Sequence, residues 1–141
     1  MQFNIRQTSD LDEYKSKTKE EIDNYAGIIR SKFITTVPGQ AETYLIKANE
    51  CREYVNAGYP ADTTSYPWVR AEMTATDATA QEAVDTVLAN EALWKTIGSS
   101  IEQIRLLAKR HVDQSTAIED VISHRRLAIS SFDLIVSNHS L

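Results

Sequence analysis

The sequence predicts an all-α protein in which short helices pack on a long, heptad-bearing carboxy-terminal helix, as a coiled coil or an elongated helical bundle. Three observations lead there. Apolar residues recur at steps of three and four over most of the chain. Only 4 Gly and 3 Pro occur in 141 residues, too few for a β sandwich with a turn about every 8–12 residues. No proline follows Pro67, so nothing of that kind interrupts a helix in the second half.

The elements follow in order. Phe3 and Ile5 alternate with polar residues, which suggests a short strand or an extended arm over residues 1–9. Ser9 or Asp10 offers an N-cap. Leu11, Tyr14, Thr18, Ile22, Tyr25, Ile28, Ile29 and Phe33 then mark one side of a helix. Val37-Pro38-Gly39-Gln40 ends it, because proline disfavours α geometry in the preceding residue. A second helix runs from about Gln40 to Ala57, with Gly58 as its C′ residue and Pro60 just beyond. A loop spans 58–67, and Pro67 opens a short third helix to about Thr74.

Thr79-Ala80-Gln81-Glu82 fits a capping box, a hydroxyl at N-cap with a carboxylate three residues on. From there a heptad runs unbroken. Its a positions are Ala80, Val87, Trp94, Ile101, Ala108, Ser115, Ile122 and Ile129. Its d positions are Ala83, Asn90, Ile97, Ile104, His111, Ile118, Arg125 and Phe132. Most are apolar, over more heptads than a coiled-coil assignment requires. Gly98 weakens the helix by about 1 kcal/mol relative to Ala and offers a point where the chain could turn back into a helical hairpin, but the phase is kept across it, which favours continuity. A helix from Thr79 to Phe132 would be ~80 Å long at 1.5 Å per residue. The expected organisation is an arm over 1–9, a short-helix region over 10–78, a long helix over 79–134 and a tail over 135–141.

Composition narrows the function. The formal net charge is −5 and no block of Lys and Arg is sustained, which argues against nucleic acid. No stretch approaches the ~18 apolar residues of a membrane span, and the amino terminus lacks the apolar core of a signal peptide. A chain made in the cytoplasm is expected. The single cysteine, Cys51, lies on the apolar side of the second helix and reads as a buried structural thiol.

Convergent chemistry is not evident: there is no nucleophile elbow, phosphate loop or His-Glu-x-x-His. No catalytic residue, cofactor or metal site is expected, and His124 and His139 stand at no ligand spacing from His111 or Cys51. His111, at a d position, fits a polar core layer that sets register, or else a pH switch or an axial metal ligand. The candidates for self-association are Val87, Trp94, Ile97, Ile101, Ile104, His111, Ile118, Ile122 and Phe132. Mixed Ile and Val at a with Ile at d leans towards a trimer over a dimer. Tyr59, Tyr66 and Trp68, set among prolines, make a candidate partner-binding loop, or else pack that loop onto the second and fourth helices.

Several blocks, in order, resemble small helical proteins encoded among the tail genes of tailed bacteriophages. They are Phe33-Ile34-Thr35-Thr36-Val37-Pro38-Gly39-Gln40-Ala41-Glu42-Thr43-Tyr44-Leu45-Ile46-Lys47, Glu50-Cys51-Arg52-Glu53-Tyr54, Tyr66-Pro67-Trp68-Val69-Arg70-Ala71-Glu72, Thr79-Ala80-Gln81-Glu82-Ala83-Val84 and Trp94-Lys95-Thr96-Ile97-Gly98-Ser99-Ser100-Ile101-Glu102-Gln103-Ile104-Arg105. The resemblance covers roughly residues 20 to 112. It implies a helical protein of the virion tail, baseplate or fibre, or of their assembly, whose partners are other tail or fibre proteins. It transfers no catalytic residues.

Overall fold

The computed structural model describes residues 2–34 and 40–139, with side chains from residue 10 onward. Five helices follow one another: α1 (Gln2–Ser31), α2 (Gln40–Asn56), α3 (Pro67–Thr76), α4 (Ala80–Gln114) and α5 (Ile118–His139). Among the described residues there is no strand. The chain forms two compact units, one of residues 1–34 with 97–141 and one of residues 35–96, and α4 contributes to both.

In the first unit α1, the carboxy-terminal half of α4, and α5 pack together. The stripe read on α1 is largely the inward one: Thr18, Ile22 and Ile29 are buried, joined by Ala26, whereas Ile28 is 54% exposed. From α4 come Ile97, Ile101, Ala108 and Val112, and from α5 Val121, Ala128, Phe132 and Ile135. Each set recurs at three-, four- or seven-residue steps, so each helix presents one face inward. Tyr25 and Phe132 meet with ring centroids 5.7 Å apart.

In the second unit α2, α3 and the start of α4 enclose Ala48, Cys51, Tyr54, Val69, Val84 and Val87. Local chemistry sets the ends of these helices. Gly58, at φ 83°, is the C′ residue of α2. Its N–H donates to the Val55 carbonyl at 2.9 Å, and the Tyr59 N–H donates to the Tyr54 carbonyl at 3.2 Å. That pair of bonds is a Schellman motif, and its hydrophobic contact is the edge-on Tyr54–Tyr59 pair. Pro67 opens α3, and Glu50 of α2 accepts the Val69 N–H at 2.7 Å, satisfying a donor left over at the α3 amino terminus. The capping box at α4 is formed in both directions: Glu82 N–H donates to Thr79 Oγ1 and Thr79 N–H to Glu82 Oε2.

Three sequence expectations differ from the structure. Residues 2–9 belong to α1 and do not form an extended arm or strand. Two alternating apolar residues cannot support a strand without a partner for its backbone groups, whereas adding turns to an existing helix satisfies them internally. The long helix is continuous through Gly98 but ends at Gln114, and Ser115–Ala117 separates it from α5. Ser115 donates its hydroxyl back to the His111 carbonyl at 2.8 Å, a local bond that competes with helix propagation. The expected tail is helical to His139, because Ile135 is held in the core. The Val37-Pro38-Gly39 stop lies outside the described residues.

Candidate functional site

Two kinds of feature stand out in the first unit: a seam of charges, and a set of apolar side chains facing solvent. The charged seam joins α1 to α4. Asp23 accepts from Arg105 at 2.9 Å and from Lys109 at 2.7 Å. Arg105 also engages Glu102 at 2.7 and 2.9 Å, and Glu102 accepts from Arg30 at 2.9 Å. Burial alone raises the Asp23 pKa, but hydrogen bonds from Lys109 and Arg105 outweigh it and hold the carboxyl below its ordinary value. The Arg105 hydrogen bond likewise lowers Glu102. Lys19 adds a pair to Asp113 at 2.8 Å, and Arg125 of α5 reaches Glu21 of α1 at 2.5 Å. Every carboxylate here is paired with a cation, which is the pattern of a docking seam between helices.

The α4–α5 connection brings His111 against His124, with ring centroids 4.8 Å apart. His124 Nδ1 is buried without a hydrogen-bond partner. The sequence reading treated these histidines as unrelated. They meet because the chain turns at 115–117, between His111 near the end of α4 and His124 in α5. Among the described residues no group of three or more His, Cys, Asp or Glu is arranged to hold a metal ion.

The residues singled out for self-association separate into two groups. Ile97, Ile101 and Phe132 are buried inside the first unit, and Val87 inside the second. Trp94, Ile104 and His111 are half-buried, while Ile118 and Ile122 are exposed. Much of the heptad therefore packs against helices of its own chain. Asn90 is exposed and Arg125 pairs with Glu21, so those polar d positions mark places where the stripe faces away from a core. The large apolar residues of α4 and α5 that do face solvent in the first unit are Leu106, Leu107, Ile118, Ile122, Leu127 and Leu134. Between α1 and α5 lies a shallow cleft of about 220 Å³ floored by Ile22, Tyr25, Ile129 and Phe132.

In the second unit the aromatic loop is clamped, not free. Tyr66 stands edge-on to Tyr54 at 5.1 Å, and Tyr54 donates its hydroxyl to the Pro60 carbonyl at 2.8 Å. Trp68 is half-buried and Tyr59 is 40% exposed. Lys47–Glu72 and Arg52–Glu91 pairs brace the helices. Cys51 is a buried free thiol, and burial, reinforced by Glu50 and Glu72, pushes its pKa up to about 11. It stays protonated and unreactive at neutral pH.

Among the described residues no helix is long and apolar enough to cross a membrane. The chain matches no protein-family model, no curated protein and no solved structure.

Proposed function

We propose that the chain is a non-enzymatic structural protein of a bacteriophage tail, baseplate or fibre, acting by helix-mediated self-association and attachment to other tail proteins. The observation that supports contact as its work is the set of six large apolar side chains turned to solvent on α4 and α5 of one small unit. Single exposed leucines are ordinary, but a concentration of them on adjoining helices fits a surface that is covered in use. The virion setting rests on the ordered sequence blocks between residues 20 and 112. In this reading the chain is made in the host cytoplasm and ends in the virion tail.

The same exposed residues, with a net charge of −5, favour a second reading: an assembly chaperone that shields a tail or fibre subunit and is left out of the particle. Mass spectrometry of purified particles separates the two. A fixed copy ratio to a known tail subunit supports the structural role. Absence from particles, despite expression in infected cells, supports the chaperone.

A further inference from the structure

We infer that the outer face of α5 is a two-fold, antiparallel docking surface for a second copy of this chain, an inference that rests on the self-association reading above. α5 carries two heptad patterns. The inner one, Val121, Ala128, Phe132 and Ile135, is buried. On the opposite side of the helix lies Ser123, Leu127, Ser130, Leu134 and Ser137, alternating at steps of four and three, with every member exposed. Leu127 and Leu134 are 63% and 58% exposed, the two largest such values on α5. A seam alternating leucine with serine is poorly suited to lie open in water and well suited to a copy of itself running the other way. Antiparallel pairing sets each leucine opposite a serine: Leu127 faces the second copy's Ser130, and Leu134 its Ser123. Large meets small in every layer, and the helices can approach closely.

The flanking charges select that direction. Arg126 and Asp133 lie seven residues apart, two turns along the same edge of the seam, and both are exposed. In the antiparallel register Arg126 of each copy falls within two residues of the other's Asp133, an offset of about 3 Å along the axis. The Arg126–Asp133 pair then occurs twice, once on each side of the two-fold axis. Tyr25 donates to one oxygen of Asp133, which leaves the other for the arginine. A parallel pairing would instead set Arg126 and Asp133 against Ser131 and Asn138, with no charge matched. Reciprocal charge pairing of this kind fixes register and partner orientation more than it adds affinity.

Sedimentation equilibrium of the full chain tests the inference through two charge reversals, Arg126→Glu and Asp133→Arg. Each alone turns both attractive contacts into repulsive ones and should weaken self-association about tenfold. An equimolar mixture of the two variants should regain wild-type association, since every contact is then attractive. Far-ultraviolet circular dichroism checks that both variants are folded, and rescue on mixing cannot come from a misfolded pair. Leu127→Asp with Leu134→Asp should give a monomer. If both single variants associate as tightly as the wild type, or mixing restores nothing, the α5 seam is wrong while self-association stands. A wild-type chain that stays monomeric at every concentration overturns both.

Discussion

Asp23 divides its two carboxylate oxygens between two cations of one helix: Oδ1 accepts from Arg105 at 2.9 Å and Oδ2 from Lys109 at 2.7 Å. Arg105 and Lys109 are four residues apart, so they lie one above the other on α4, and a single carboxylate on α1 bridges both. The contact links residues 82 and 86 positions apart in the chain and fixes the register of α1 against α4.

This bridge predicts an acid limb to stability. A carboxylate whose folded pKa is depressed contributes stability that is present above its unfolded value, near 4, and is lost as pH falls through the lower folded value. Asp23 and Glu102 are both depressed, so stability should fall as pH drops below about 4. The Asp23 side chain is 39% exposed, and solvent screening limits its share. Asp23→Asn should cost no more than about 1 kcal/mol at pH 7. Urea unfolding at pH 7 and pH 3 should show a deficit at the first pH that shrinks towards zero at the second. An equal deficit at both would mean that the carboxylate's charge is not what matters.

Two glycines should respond in opposite directions. Gly27 lies inside α1, and an added Cβ would meet nothing within 4 Å. Gly27→Ala should raise stability by about 0.5–1 kcal/mol by removing backbone freedom from the unfolded chain. Gly58 has equally open surroundings but a φ of 83°, which an L side chain adopts only with strain. Gly58→Ala should cost about 1 kcal/mol. Since neither site is crowded, thermal unfolding of the two variants isolates the backbone term.

The reciprocal cap at the start of α4 gives a third test. Thr79→Ala leaves the Glu82 N–H without the Thr79 hydroxyl and should cost about 1 kcal/mol. Thr79→Ser keeps the acceptor and should be close to neutral. If alanine were tolerated as well as serine, the packing of Val84 and Val87 alone would be setting where the helix begins.

That cap was legible in the sequence because its signal is local: a hydroxyl, two intervening residues and a carboxylate. The Gly58 terminus and the Pro67 start were legible for the same reason. The break at 115–117 carries a signal of the same kind, since Thr116-Ala117-Ile118-Glu119 repeats the capping-box pattern and Asp120 adds a second acid in the first turn. It was overridden by the heptad, whose phase happens to persist across the break. Missing the hairpin hid two further relationships, the His111–His124 contact and the return of α5 onto α1. The charged seam was illegible for a different reason. Asp23, Glu102, Arg105 and Lys109 look like ordinary solvated charges until tertiary packing brings α1 beside α4. Exposure, not periodicity, distinguishes the inner heptad from the seam on α5, and periodicity was all that could be read.

Interior and exterior leucine-type positions therefore need a test that does not rely on association at all. Ile101 is fully buried in the first unit, so Ile101→Ala removes packed methylenes and should cost about 2–5 kcal/mol, depending on how far the site collapses. Leu127 is largely exposed, so Leu127→Ala, measured on dilute protein, should change stability by no more than about 0.5 kcal/mol. Ile101→Asp, at a position first read as a self-association contact, should unfold the unit outright, because an unpaired charge would enter the core. Loss of an oligomer in that variant would then report on folding and say nothing about the surface. Chemical denaturation at protein concentrations spanning about two decades makes the distinction, because association shifts apparent stability by mass action. The Ile101→Ala deficit should be the same at every concentration, whereas any Leu127→Ala deficit should grow with concentration as copies of the wild type begin to pair.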